Sequence, residues 1–336
     1  MTPLRALAAA LPLLVVAAVA ALWPAGGDSL VIYSAMGPPG SLIPRFEAEA
    51  GVRVTYVNMG GGPLQARIYA EGARPCWTVA WFVGDAAMAA LDRTGLLARP
   101  APLDGDAPDW IAAARALLPE DRAWLPTGLT LAGVFLTHAA AAAPSPSWAA
   151  LPGYAGGIGL VSPVASGTAY PVLSAMMEAA GGAEAGHALL RTLRGTGLGV
   201  AATNPLLLGR LAAGDVALAV LPSEAAYTLA GRDPGLRVTV PRPAGLMPEV
   251  VAVSAGASPA ARALAGRFIR FLLSAEGQRL TLQSTAEGLA WPPVAGVAAP
   301  AALPPLASLS LVHPDAAAWG ARQGEEIGWF RREIAP

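Results

Sequence analysis

The chain has 336 residues and a formal charge of −1, so it lacks the basic excess of a nucleic-acid binder. Its basic residues are all arginine, which excludes a P-loop lysine and a Schiff-base lysine, and its single cysteine, Cys76, excludes an internal disulfide. The fold must therefore rest on its core: with 54% hydrophobic residues the chain can build two lobes of ordinary domain size, and Cys76 is expected inside as a small hydrophobe.

Residues 1–28 read as a secretory signal or an N-terminal membrane anchor. Met1–Arg5 carries one positive charge, Ala6–Leu22 is an unbroken run of Ala, Leu, Val and Pro, and Trp23–Asp28 ends it. Pro12 interrupts the run, which favours a cleaved signal over a membrane span. There is no lipobox cysteine. Export to the periplasm is expected, either as a free protein or held by an uncleaved anchor.

Leu30–Tyr33 predicts a short strand, Ser34–Gly40 a loop, and Ser41–Ala50 a helix with Leu42, Ile43 and Phe46 inward. A strand over Val52–Val57, a glycine-rich turn over Asn58–Pro63, a helix over Leu64–Glu71, a strand over Thr78–Phe82 and a helix over Asp85–Leu91 follow. This β-loop-α alternation predicts a mainly parallel sheet covered by helices, with ligands held at the carboxyl ends of its strands. The loops there are Ser34–Gly40, Gly60–Gly62 and Val83–Asp85.

Leu129–Thr137 reads as a strand able to cross to a second lobe. Ile158–Val161 is a buried strand, followed by a Ser/Gly/Thr loop and a helix that Thr168 can cap, with Pro171 in its first turn. Asn204 as cap and Pro205 as first residue start a helix running to Gly214. Val216–Leu221 is a strand, and Ser223 is expected to cap a helix through Leu229. Arg237–Val240 and Val250–Val253 are expected to be strands returning to the first lobe. Ser258-Pro259 opens a helix with Leu264, Phe268, Phe271 and Leu272 on one face; Pro292–Pro305 is irregular; Trp319–Ile334 is a terminal amphipathic helix.

Four stretches together resemble the two-lobed, type II periplasmic solute-binding proteins of ABC transporters, in the branch with ferric-iron-, phosphonate- and thiamine-binding members. They are VIYSAMGPPGSLIPRFEAEAGVRVTYV, SPVASGTAY, LAAGDVALAVLPSEAAY and SPAARALAGRFIRFLLSAEGQ. The resemblance spans nearly all of Ser29–Ile334. It implies an α/β fold of two lobes, each a mainly parallel sheet flanked by helices, with hinge strands between. Lobe 1 would be 29–126 with about 237–290, and lobe 2 would be 127–236 with about 291–336. It also implies a ligand in the cleft and delivery to a membrane permease and its ATPase on other chains. A monomer without cofactor is expected.

Ser34 and Ala35 end the first strand and offer a hydroxyl and an N–H. Gly61 and Gly62 precede a helix, where free backbone N–H groups cradle an anion. Ser166, Gly167 and Thr168 match the anion loop of the family and offer hydroxyls at a helix N-terminus. Glu224 either complements a helix N-terminus or pairs with an ammonium on the ligand. Tyr227 either reaches the cleft or packs on its helix neighbours. Iron-binding relatives use a first-loop ligand such as histidine, a third-loop acid and a tyrosine pair after the VALAV-like strand. Here the first loop has no histidine, and Glu224 and Ala225 stand where the tyrosines would. Glu224, Asp85 and Tyr227 are at most what a ferric ion, which needs several hard oxygens, would find. His138, His187 and His313 have no metal-ligand spacing.

No G-x-S-x-G elbow or S-x-x-K motif supports an enzyme. The favoured reading is a binder of a small anionic solute resembling a phosphonate or phosphate ester. The alternatives are ferric-iron binding on the same fold and, from another class, an exported hydrolase or sensor domain.

Overall fold

The computed structural model describes residues 29–37, 40–284 and 289–335, so the expected signal or anchor lies outside the described residues. Two sheets form its frame. In the first, β1 (Ser29–Ser34) pairs in parallel with β2 (Arg53–Asn58) on one side and β3 (Val79–Val83) on the other. Helix α1 (Leu42–Ala50) makes the first crossover, buries Leu42 and Phe46, and stops at Gly51 in the left-handed region at φ 68°. Helix α2 (Gly61–Glu71) makes the second crossover, burying Leu64 and Ile68.

The long strand β10 (Ala244–Val253) completes this sheet. One edge carries antiparallel β4 (Trp124–Ala132); the other carries antiparallel β3 over residues 249–253 and short β11 (Leu311–Val312) at Ala244 and Gly245. The sequence suggested only its last four residues, and the strand also takes in Pro248. The strand accommodates the proline at Leu129, and the Pro248 carbonyl accepts the Gly84 N–H at 2.7 Å.

The second sheet has the order β7 (Gly199–Ala201), β6 (Ile158–Val161), β8 (Leu218–Leu221), β5 (Val134–His138), β9 (Leu236–Thr239). The strand expected over Leu129–Thr137 is thus divided between the sheets at Gly133. This glycine has φ +84°, and a Cβ on it would lie 2.6 Å from Trp148 Cη2, so both backbone and space require glycine at the crossing. Two segments fall elsewhere than expected. Strand β9 pairs with β5 in the second sheet, so the chain returns to the first sheet only at β10. The segment after Trp291, assigned from sequence to the second lobe, joins the first sheet through β11 and the Leu129–Trp291 bridge.

Helices α3 (Asp85–Asp92), α4 (Ala112–Arg115), α9 (Pro259–Leu272) and α10 (Ala275–Ser284) accompany the first sheet. Helices α5 (Ala169–Ala179), α6 (Ala183–Gly195), α7 (Asn204–Ala213) and α8 (Ser223–Arg232) accompany the second. Ser258-Pro259 opens α9 as expected, the Ser258 hydroxyl caps it by accepting the Ala261 N–H at 3.2 Å, and Phe268 packs edge-on to Phe46.

Three expected caps differ. Thr168 has helical φ/ψ, so its hydroxyl meets Ser166 Oγ at 3.2 Å instead of an amide of the first turn. Thr203, which is extended, caps α7 in place of Asn204 and accepts the Leu206 N–H at 3.4 Å. Ser223 lies inside α8, where its buried hydroxyl accepts the Leu131 N–H at 2.8 Å. Cys76 is exposed, in the turn after α2, contrary to the expectation that it is buried.

The terminal helix α11 (Ala316–Glu333) lies against both lobes. Its first half packs on α3, where Gly320 sits so close that a Cβ would be 2.6 Å from the Ala86 carbonyl. Its second half joins the second lobe: buried Glu326 pairs with His187 Nε2 at 2.6 Å, and Trp329 stacks on that imidazole. No helix among the described residues is long and apolar enough to cross a membrane.

Candidate functional site

A cavity of about 570 Å³ lies between the lobes, at the carboxyl ends of strands from both sheets. The first lobe lines it with Ala35, Gly60–Gly62 and Gln65, and with Phe82, Val83 and Ala87. Helix α2 begins within the glycine run without a side-chain cap, which leaves its N-terminal end facing the cavity. The second lobe contributes the loop 163–168, which carries Ser166, Gly167 and Thr168 into the lining. This loop is held by Ser162: its amide donates to the Ala201 carbonyl at 2.8 Å, and its carbonyl accepts the Ala165 and Ser166 amides. Helix α5, also without a side-chain cap, starts there.

The α7 N-terminus adds Thr203, Asn204, Pro205 and Leu208, and α8 adds Ala225, Thr228, Leu229 and Arg232. The α8 residues follow i, i+3, i+4, i+7, so they form one face of the helix. Gln323 and Ile327 of α11 close the wall. The amides of Gln323 and Gln65 exchange reciprocal hydrogen bonds at 3.3 and 3.5 Å. The Tyr170 phenol is part of the lining but donates to the Trp319 carbonyl at 2.6 Å, and burial pushes its pKa up, so it stays protonated.

Six of the nine candidate residues meet here: Ala35, Gly61, Gly62, Ser166, Gly167 and Thr168. Three lie outside the lining. Ser34 is fully buried, and its hydroxyl accepts the Met36 N–H at 3.0 Å, so it shapes the first loop. Glu224 and Tyr227 fall on the flanks of the α8 face that carries Ala225 and Thr228. Tyr227 packs on the core, and its burial raises the phenol pKa. Asp85 is also outside, buried at the start of α3 and bonded to His313 Nε2 at 2.8 Å. Sequence reasoning did not reach Gln65, Thr228, Arg232 or Gln323. The seven-residue periodicity of α8 held the signal for two of them; nothing local marked Gln323.

The cavity's electrostatics are one-sided. The N-terminal ends of α2, α5 and α7 converge on it, each the positive end of a helix dipole. Among the described residues, Arg232 is the only charged one in the lining, and none of them brings a carboxylate there. Hydroxyls and amides supply the remaining polarity. Such a wall solvates negative charge and offers nothing to balance a cation.

The lobes meet at this cavity with their backbones in contact. A Cβ on Gly167 would lie 2.7 Å from Gly61 Cα, and one on Gly61 would lie 2.9 Å from Gly167 Cα. Neither glycine has a positive φ, so close approach and not backbone conformation demands glycine at both positions. A second contact brings Gly84, at φ +89°, against the Pro171 ring.

Two α/β lobes closing on a cleft at their strand ends define a type II periplasmic binding protein. The chain belongs to the bacterial extracellular solute-binding proteins, whose family model matches residues 41–307. No curated protein sequence matches it. Among solved structures it is similar to iron-bound HitA of Pseudomonas aeruginosa, with 22% identity over 89% of this chain and 99% of that one and a TM-score of 0.71. It is similar to AfuA of Actinobacillus pleuropneumoniae with fructose-6-phosphate bound, with 18% identity over 92% and 99% of the two chains and a TM-score of 0.79. It is also similar to the substrate-binding protein of an ABC transporter from Agrobacterium tumefaciens, with 20% identity over 93% and 96% and a TM-score of 0.72.

Proposed function

We propose that this protein captures a small organic anion, a phosphonate or phosphate ester, in the interlobe cavity and delivers it to the permease of an ABC importer in the inner membrane. It works in the periplasm as a binder without turnover. One observation carries the reading: three helix N-termini and the Ser166 and Thr168 hydroxyls converge on a cavity lined, among the described residues, by one arginine and no carboxylate. Each bond they give an oxyanion is charge-assisted, which is the strong class of hydrogen bond.

The donor set argues against ferric iron as the cargo. Among the described residues, the lining holds no hard oxygen anion, and the one phenol in it is engaged with a backbone carbonyl. Iron appears in the HitA structure and a phosphorylated sugar in the AfuA structure, so this fold accommodates both kinds of cargo. The lining described here supports the organic anion.

Thermal shift with a panel of phosphonates, phosphate esters and ferric citrate tests the proposal, since a ligand bound by the native state raises stability by mass action. Stabilisation by a phosphonate or phosphate ester, without its hydrolysis, is the expected result. Stabilisation by ferric citrate alone would transfer the assignment to iron.

A further inference from the structure

The anion reading leaves most of the cavity unexplained. A single oxyanion occupies one corner of a space of about 570 Å³, whose size is that of a pocket for a whole small organic molecule. The surplus space is not uniformly apolar. Asn204 lines it, and its Oδ1 is buried with no hydrogen-bond partner among the described residues. A buried acceptor without a donor is costly, so this atom awaits a donor from the occupant. Also in the lining, Gln65 and Gln323 satisfy each other only once through their reciprocal bonds. Each amide has two N–H donors and two acceptor lone pairs, so each keeps one of both for a ligand. Thr228 adds a hydroxyl.

The kind of donor is restricted by what is missing. An ammonium buried here would need a carboxylate, and the described lining residues include none. The sequence offered Glu224 for this role, but Glu224 stands off the cavity face of α8. Neutral amides and hydroxyls that both give and accept match groups that do the same.

Resting on the proposed anion site, we infer that the ligand's body is uncharged and hydroxyl-bearing, read by Asn204, Gln65 and Gln323, and that ligands carrying an ammonium are rejected. A site built to bond ligand hydroxyls discriminates strongly against analogues that lack them, because its own polar groups are then left unpaired.

Calorimetry with three size-matched monoesters tests this: a hexose 6-phosphate, n-hexyl phosphate and 6-aminohexyl phosphate. The expected order is hexose phosphate tightest by at least about tenfold, with the amino compound no tighter than the alkyl one. Asn204→Leu and Gln323→Leu should each weaken the hexose phosphate about three- to tenfold and leave n-hexyl phosphate unchanged or improved. Circular dichroism melts confirm that each variant folds, and the two variants check one another. Equal or tighter binding of n-hexyl phosphate overturns the inference while leaving the anion site standing. Preference for 6-aminohexyl phosphate overturns it too. Binding of none of the three removes the anion site and the inference with it.

Discussion

The second lobe brings the hydroxyls of Ser166, Thr168, Thr203 and Thr228, the Asn204 amide and the Arg232 guanidinium to the cavity, whereas the first lobe faces it with Ala35, three glycines, Gln65, Phe82, Val83 and Ala87. On the proposed reading, one side recognises the ligand and the other covers it. The first lobe's electrostatic contribution is backbone, from the start of α2, and its main demand is that nothing protrude where Gly61 meets Gly167. Substitutions in the second lobe should therefore change what is bound, and those in the first should change how well the cleft closes or how stable the lobe is.

The largest effect concerns stability and belongs to the first lobe. Glu249 on β10 is buried, and its Oε2, packed over Gly128, has no hydrogen-bond partner among the described residues. Burial raises its pKa from 4.5 to about 7. The folded state thus holds this proton more tightly than the unfolded one. Its contribution is complete below about pH 4.5 and is lost as pH rises through about 7. Glu249→Gln should be more stable than the parent at pH 8 by roughly 3 kcal/mol, and the advantage should vanish at pH 4. Urea unfolding at the two pH values measures it, and parallel pH profiles for the two proteins would contradict the burial argument.

Thr168→Val removes one donor to the anion and should cost about 1.5–3 kcal/mol of affinity, roughly ten- to a hundredfold. Because Thr168 does not cap α5, its melting temperature should hardly move. Gly167→Ala tests the opposite side of the comparison. Overpacking of this kind costs about 1–3 kcal/mol, charged to the closed state alone. Small-angle scattering should show a larger radius of gyration at saturating ligand than the parent gives. Full closure with undiminished affinity would show that the backbone contact is dispensable.

Arg232 is exposed at the cavity edge, so Arg232→Gln should weaken binding only severalfold, with most of the loss at low salt, as for a screened surface charge at about 0.2–1 kcal/mol. Tyr227→Phe should do nothing measurable to affinity, since the ring packs on the core. A large loss there would mean that α8 turns a different face to the ligand.

The frame and the two glycine-containing loops were legible in the sequence because strand, loop and helix alternate with short, clean boundaries. The SGT loop was legible too, though not the role of Thr168. The register of α8 was not. Ser223 has the composition of a cap, and only its long-range bond to Leu131 shows that the helix already includes it. Helix α6, Ala183–Gly195, escaped notice because Gly186 interrupts its apolar face, where a Cβ would collide with Met177. Gln323 could not be placed at all: its partner Gln65 lies 258 residues away, and only the packing of α11 against α3 brings them together.

Charge recognition by the second lobe is tested most directly by calorimetry of a phosphate monoester against its dephosphorylated parent alcohol, on the parent protein and on Thr168→Val. The monoester should bind, the alcohol should not reach saturation, and the difference between them should shrink about ten- to a hundredfold in the variant. Equal affinity for the alcohol and the ester, or an ester affinity untouched by Thr168→Val, would contradict the account.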